Sequence, residues 1–322
     1  MLDELILPQW RRYIRFLQTN KKSISAAERW VRALLLIIPF YAVAVPLWLC
    51  SARHQPQTVD TASEDGLQFR CRLPDLIAMY MYLFGTWEPD LAAFLRRRLR
   101  PGDAFIDIGA NIGTVTALGS RLVGPHGIVY AIEPCPNVFV MLRDTVERND
   151  LTNVRVVTAA VSDRDQELPL FVGPNFNIGL TSMVARRGLQ EQGRVRAAPL
   201  GALLNREELL TARLIKIDVE GAEDRVLAGI LTSVDALADD VELVVELTPS
   251  YWSDPELRPI DVLRPFLDRG FHVYLLPNTY APWRYLWPKV VEPPQRLDDL
   301  TALERRGFRR DIVMSRIDAA VL

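Results

Sequence analysis

The residues best placed to do chemistry lie in Asp107-Ile108-Gly109-Ala110-Asn111-Ile112-Gly113, after the apolar run Ala104 to Ile106 and before a helical run from Thr114 to Leu122. A strand, a glycine turn and a helix in that order open a doubly wound α/β sheet, whose ligands bind at the carboxyl ends of the strands. Gly109 permits a sharp turn and close backbone approach, and Gly113 lets the helix start with no side chain facing a ligand. Dinucleotide sites need GxGxxG, with backbone amides on a pyrophosphate. Here the pattern is DxGxNxG, and Asp107 at the strand end would repel a pyrophosphate but suit a cation. The next strand, Ile128 to Ile132, ends in Glu133-Pro134, where a carboxylate reaches both hydroxyls of a ribose.

A ribose reader without a pyrophosphate grip points to S-adenosylmethionine, whose sulfonium and amino groups are positive. In the block Ile215-Lys216-Ile217-Asp218-Val219-Glu220-Gly221-Ala222-Glu223, Asp218 ends a strand where the methyl group would point. Asp218 and Glu220 are candidates for accepting a substrate hydroxyl proton or for binding the substrate. Lys216 shares a strand face with Asp218, since side chains alternate, and can hold it ionised. Glu223 suits a first helical turn, where acids are favoured by the helix dipole. Two carboxylates at a strand end could take Mg²⁺, but no further ligand pattern accompanies them, and the expectation is no metal.

The chain resembles the FkbM-type family of S-adenosylmethionine-dependent methyltransferases from about Tyr80 to Glu246. The blocks that carry the likeness are Gly85-Thr86-Trp87-Glu88, residues 101–113, Tyr130-Ala131-Ile132-Glu133-Pro134, Ala159-Ala160-Val161-Ser162-Asp163 and residues 215–223. The resemblance implies a Rossmann-like seven-stranded class I methyltransferase sheet with its last strand antiparallel. It also implies methyl transfer to oxygen, commonly a hydroxyl of a sugar or natural product. Cofactor contacts are then expected from Asp107, Gly109, Ala110, Asn111, Gly113, Glu133, Pro134 and Glu88, with Ser162 and Asp163 near the adenine. One departure is Leu200-Gly201, where the family usually reads Leu-Asp; a fold that binds the cofactor without turnover is the alternative that this leaves open. A nicotinamide oxidoreductase is a weaker alternative, lacking GxGxxG.

The elements that must position these groups are legible as strands at Ala104–Ile108, Ile128–Ile132, Val154–Thr158, Leu214–Asp218, Glu242–Leu247, Phe271–Leu275 and Asp311–Ser315. Helices fall at Pro136–Asn149 and Ala222–Leu231. Glu246 ends a strand and is read equally as pocket-lining or as a buried cap. The loop Gly173–Gly193, with Asn177 and Ser182, and the stretch Pro277–Pro294, with Trp283, Tyr285 and Trp287, are candidates to cover an acceptor or simply to pack. His126 reads as a turn residue.

With 38 basic against 40 acidic residues, the net charge of −2 gives no whole-chain attraction to nucleic acid. Three cysteines without a CxxC pair and three scattered histidines suggest a reducing compartment and no zinc site. The N-terminus differs from the rest. Trp10, Tyr13, Ile14 and Leu17 mark one face of a helix bearing three arginines, and a basic patch (Lys21, Lys22, Arg29, Arg32) precedes the uncharged run from Ala33 to Cys50. Those residues span roughly 27 Å as a helix, the lower edge of a bilayer core, and Pro39 and Pro46 are expected to kink it. Basic residues 1–32 in the cytoplasm would put a spanning chain's main domain outside, away from a cytosolic cofactor. A monotopic or re-entrant anchor at the cytoplasmic face resolves that conflict, and a helical extension packed on protein is the competing reading. The polar residues 51–66 read as a linker. The expected organisation is therefore an extension over 1–66 and a methyltransferase domain over 67–322, acting on a small-molecule or glycan hydroxyl.

Overall fold

In the computed structural model, residues 2–18, 24–53, 57–173, 182–185, 189–286, 291–304 and 309–322 are described. The chain divides into two units: one holds residues up to Ala93 with the described residues between Asn278 and Glu292, and the other holds the rest from Phe94 onward. Lys21, Lys22, Asn177 and Trp287 lie outside the described residues.

The first unit opens with helices α1 (Leu2–Leu17) and α2 (Ala26–Arg53). Trp10, Ile14 and Leu17 are buried at the spacing the sequence predicts, and the Tyr13 hydroxyl donates to the Leu35 carbonyl at 2.8 Å. Helix α2 runs unbroken through Pro39 and Pro46 rather than turning back on itself. Its inner residues Leu36 and Phe40 are buried, and this packing offsets the lost backbone hydrogen bonds. Within residues 51–66, read as a linker, the structure places a strand. β1 (Gln57–Ala62) pairs antiparallel with β2 (Gln68–Leu73). Val59 and Thr61 are buried while their neighbours face outward, so half the strand is polar and its pattern resembles a loop. Helix α3 (Leu76–Phe84) is capped by Asp75, whose carboxylate accepts from the Ala78 amide at 3.0 Å, and ends at Gly85 in the left-handed region. Tyr285 is not an acceptor cover: it is buried and stacks on Phe84 with ring centroids 4.6 Å apart. Helix α4 (Pro89–Arg98) follows, and the division between units falls within it.

The second unit is an α/β sandwich. Its elements run β3 (Ala104–Ile108), α5 (Thr114–Val123), β4 (Ile128–Ile132), α6 (Pro136–Arg148), β5 (Val154–Val157), β6 (Ala160–Val161), β7 (Gln166–Val172) and β8 (Gln190–Ala198). They continue with α7 (Leu200–Leu203), α8 (Arg206–Leu210), β9 (Ala212–Ile217), α9 (Glu223–Leu231), β10 (Glu242–Leu247), α10 (Pro259–Leu267), β11 (His272–Leu275), β12 (Gln295–Arg296) and β13 (Arg310–Ser315). The main sheet has the order β12-β11-β13-β10-β9-β3-β4-β5. Strands β10, β9, β3, β4 and β5 are parallel, and β13 is antiparallel to both its neighbours β10 and β11. This is the expected seven-stranded sheet with a two-residue edge strand, β12, added beyond β11.

Alternation along the strands sorts the side chains. Ile106, Ile108, Ile215 and Ile217 belong to a buried cluster with Val226, Leu227 and Ile230 of α9 and Phe266 of α10. Residues of opposite parity, Phe105, Asp107 and Lys216, therefore face the α5 side of the sheet. There Phe105 packs so closely on α5 that a β-carbon at Gly119 would lie 2.4 Å from its ring. A second, three-stranded sheet of order β6-β8-β7 was not expected; β8 occupies the end of what reads as the irregular loop 173–193.

Candidate active site

Between β3 and α5 the chain turns through three positive-φ residues, Gly109 (77°), Asn111 (52°) and Gly113 (87°). Each glycine has a separate steric reason. A β-carbon on Gly109 would lie 1.9 Å from the Asp218 carbonyl oxygen, because the ends of β3 and β9 converge there. At Gly113 it would meet Leu142 at 2.8 Å and Thr145 at 3.2 Å, so Gly113 serves the packing of α5 on α6 instead of clearing room for a ligand. Ala110 likewise packs with Ala131 and Leu142.

Asp107 does not reach toward a ligand. It is fully buried on the α5 side, where its Oδ2 accepts from the Thr116 hydroxyl at 2.6 Å and its Oδ1 lies 3.3 Å from Lys216 Nζ. The register pairs Asp107 directly with Lys216, which explains the contact. Lys216 also donates to the Gly109 carbonyl at 3.0 Å and lies 3.2 Å from Asp218 Oδ2. One ammonium thus ties the glycine loop to two acidic side chains, which suits a positioning role. Burying Asp107 without it would be costly. Of the three, Asp218 alone is open, its side chain 27% exposed.

Glu133 is placed differently. Its Oε2 accepts from the Asn111 amide at 3.0 Å and its Oε1 from the Cys135 amide at 2.9 Å, so the end of β4 is laced to the glycine loop. Burial pushes its carboxyl up to about 7, while these two amides and the nearby Lys216 pull the other way. Glu133 and Gly109 line a cleft whose empty volume, open solvent at its mouth included, is about 400 Å³. Pro134, Ala160, Val161 and Met183 supply much of its apolar wall. Among the described residues, the donor set of this cleft is one carboxylate amid largely apolar side chains, the chemistry that a nucleoside's ribose hydroxyls and flat base call for.

The remaining expected contacts are not in that wall. Ser162 is buried with its hydroxyl 3.0 Å from Asp163 Oδ1, and Gln166 reaches both side chains. The backbone of Ser162 lies against Gly229 of α9, where a β-carbon would come within 2.0 Å of its carbonyl oxygen. The cleft is instead lined one and two residues earlier, by Ala160 and Val161. Glu88 belongs to the first unit, where its Oε1 accepts from Asn278 at 2.8 Å and Tyr280 at 3.1 Å.

After β9 the chain turns through Glu220 (φ 46°) and Gly221 (φ 91°). The Ser182 hydroxyl donates to the Glu220 carbonyl at 2.8 Å, and Ser182 also bridges to Phe171 of β7. This brings Ser182, Met183 and Leu170 to the cleft beside Val219. Sequence reasoning picked out Ser182 but did not single out Leu170, Met183 or Val219, although Met183 lies in the loop 173–193 and Val219 in the block 215–223. Glu223 is more than a helix-dipole residue. It is fully buried and accepts from the Gly221 amide at 2.8 Å, the Thr248 hydroxyl at 2.5 Å and Trp252 Nε1 at 2.5 Å, and burial raises its carboxyl. Glu246 pairs with Arg309 at 3.0 Å, the capping alternative. A side chain at Gly201 would meet Ser233 at 3.0 Å, so the aspartate missing there leaves the lining of the cleft intact.

The FkbM methyltransferase domain model matches residues 107–273, slightly more than half the chain. The chain belongs to the FkbM methyltransferase family. S-adenosylmethionine is the methyl donor of this family, and the carboxylate of the cleft, Glu133, has the chemistry to hold its ribose hydroxyls. Among similar proteins, 31-O-demethyl-FK506 methyltransferase FkbM of Streptomyces tacrolimicus is 30% identical over 160 residues, 41% of this chain and 61% of that protein. Methyltransferase 1 of Beauveria bassiana is 28% identical over 169 residues, 47% of this chain and 67% of that one. A probable cobalt-precorrin-6B C(15)-methyltransferase of Sulfolobus acidocaldarius is 35% identical over 70 residues, 22% of this chain and 36% of that protein. These matches span from about a third to two thirds of each relative's length. Among solved structures, Aeropyrum pernix fibrillarin with natively bound S-adenosyl-L-methionine aligns at 12% identity and TM-score 0.39, over 80% of this FkbM-family chain and 99% of that one.

Proposed function

We propose that this protein is an S-adenosylmethionine-dependent methyltransferase that methylates a hydroxyl of a sugar, a lipid-linked glycan or a secondary metabolite. The observation that carries the reading is Glu133, the charged residue among the described residues in the wall of an apolar cleft, bonded to the turn that precedes α5. In this reading Glu133 holds the ribose hydroxyls, Gly109 and Pro134 border the nucleoside, and Ala160, Val161 and Met183 take the adenine. When bound, S-adenosylmethionine supplies an already activated methyl group, so the chain's task is to place the acceptor oxygen about 3 Å from that carbon and keep water away.

Asp218, half-buried beside the cleft and tethered by Lys216, is assigned to the acceptor hydroxyl, accepting its proton or orienting it. Glu220, in the same turn, is assigned to acceptor binding, and Glu223 holds that turn against the end of β10. Transfer to oxygen rather than carbon or nitrogen is supported by the likeness to the 31-O-demethyl-FK506 enzyme. The domain assignment we favour keeps residues 67–322 as the methyltransferase portion. We also place the protein at the cytoplasmic face of a membrane, a reading supported by the apolar window Ala26–Pro46, of mean hydropathy 1.5.

Two measurements test these readings. Calorimetry with S-adenosylhomocysteine should show saturable one-to-one binding; folded protein that does not bind would remove the enzyme assignment. Comparing metabolites of a deletion strain with its parent should reveal a compound lighter by one methyl group, and its missing methyl should map to oxygen.

A further inference from the structure

Helix α2 has two apolar faces, and packing accounts for one. Ala33, Leu36, Phe40 and Ala44, at helical spacing, are buried, and Phe40 meets the rings of Tyr80 and Phe84 at 5.8 and 6.0 Å. On the other side Trp30, Leu34, Ile38, Tyr41, Val45 and Leu49 follow the same spacing and face outward, Trp30 72% and Ile38 71% exposed. Large contiguous apolar surface of this kind marks an interaction face. Its occupant is constrained in two ways. A helix that crosses a bilayer is surrounded by lipid or by other membrane segments, whereas the inner side of α2 is committed to a unit that also contains the polar hairpin β1–β2. Charge constrains it further. Residues 8–27 contain Arg11, Arg12, Arg15, Lys21 and Lys22 and no acidic residue. On α1 the exposed Arg12 and Arg15 flank Phe16, itself 74% exposed.

We infer that α2 lies in the plane of an anionic bilayer surface, with its outer stripe sunk to the headgroup–acyl boundary and the cations of α1 on the lipid phosphates. Trp30 and Tyr41 suit that depth, since their rings have one apolar and one polar end. A second copy of the chain is the rival occupant. A parallel twofold contact through this face would stack the same cationic segment of both copies, the neighbouring Glu28 being already paired with Arg32 at 2.9 Å, and an antiparallel one would set that segment against the uncharged residues 33–50, whereas anionic headgroups neutralise it. The inference rests on the membrane reading above and specifies its geometry and lipid class.

The test uses the full chain with vesicles of phosphatidylcholine alone or mixed with phosphatidylglycerol. Binding to the mixed vesicles should exceed binding to the neutral ones and fall with salt. Arg12→Gln and Arg15→Gln should each weaken it about fivefold. Trp30→Glu with Ile38→Glu should reduce it more than tenfold while circular dichroism and S-adenosylhomocysteine affinity stay unchanged. Depth is then read from spin labels on Trp30→Cys and Val45→Cys in a Cys50→Ser background, Cys71 and Cys135 being buried. Those positions are about 22 Å apart along the axis. Equal shallow depths support the in-plane helix. Depths that differ by most of that distance would overturn it and leave a spanning anchor. No vesicle binding, or a stable dimer that the glutamate pair dissociates, would overturn the membrane reading itself, with the cofactor assignment still judged by its own calorimetry.

Discussion

Glu133 makes a quantitative prediction because its proton and its ligand compete for the same oxygens. Burial raises its carboxyl from the ordinary 4.5 to about 7, so at pH 6 roughly one molecule in ten carries the ionised form that accepts two ribose hydroxyls. Each pH unit below 7 should therefore cost about tenfold in affinity, or ~1.4 kcal/mol, with a plateau near pH 8. The probe of choice is methylthioadenosine, which carries the adenine and ribose without an amino acid, so only protein groups titrate between pH 6 and 8. Titration calorimetry at pH 6, 7 and 8 reads the slope. Glu133→Gln should flatten it and bind about 1–3 kcal/mol more weakly than wild type at pH 8.

Stability should respond to the same group with its own sign. The folded carboxyl ionises at a higher pH than the unfolded one, so between about 4.5 and 7 unfolding releases a proton. Its contribution to stability falls as pH rises through that window, by up to ~3 kcal/mol, and levels off above it. Glutamine removes the slope but can accept from only one of the Asn111 and Cys135 amides, so the variant should also melt lower at pH 5. Wild-type affinity that is flat from pH 6 to 8, or a folded Gln variant that binds as tightly at pH 8, would refute the assignment of Glu133 to the ribose.

Gly109→Ala should lower the urea midpoint by an amount worth more than ~2 kcal/mol, since a positive φ and a 1.9 Å approach to the Asp218 carbonyl act together; an unchanged midpoint would mean the loop shifts freely. Lys216→Met should cost about 3–5 kcal/mol by stranding buried Asp107, and adding Asp107→Asn should recover much of it, measured by denaturant titration as a double-mutant cycle. Asp218→Asn should leave S-adenosylhomocysteine binding within about threefold and reduce methyl transfer in cells by 10²–10⁴-fold, read as disappearance of the methylated metabolite. An undiminished metabolite level would remove Asp218 from the chemistry.

What the sequence makes legible here follows from how local the cause is. Strands such as Ala104–Ile108 and Ile128–Ile132 are short apolar runs bounded by turn residues, and their ends appear where the pattern predicts. The β1 and β8 strands were less legible because they are stabilised by hairpin partners, and their exposed faces are as polar as loops. The direction of each site residue needed information from across the sheet. The family resemblance implies that Ser162 lies near the adenine, but the close approach of Gly229 on α9 fixes its backbone. Met183 and Leu170 reach the cleft through a bridge between Phe171 and Ser182, a pairing with no local signature.

The electrostatics of the site turn on the same distinction. A carboxylate at the start of a glycine motif suggests attraction for a cation, but Asp107 is dry and its charge is answered by Lys216 on the adjacent strand. That lysine is shared with Asp218, so three charges within one small network sum to a single negative charge. A buried charge is stable only beside its counter-charge, whereas a partly exposed one can stay ionised without full neutralisation. The surplus charge is therefore displayed at Asp218, the open member of the three. If a positively charged donor and a hydroxyl acceptor meet at this edge, the attraction comes from the end of β9, and Asp107 serves by fixing the lysine that holds Asp218 in place. Asp107→Asn should then leave Lys216 paired with Asp218 alone, reducing the charge displayed at the edge without removing the side chain that faces the acceptor. Weaker binding of the cationic donor but little change for uncharged methylthioadenosine would mark that effect; equal losses for both ligands would show that Asp107 acts only through the shape of the loop.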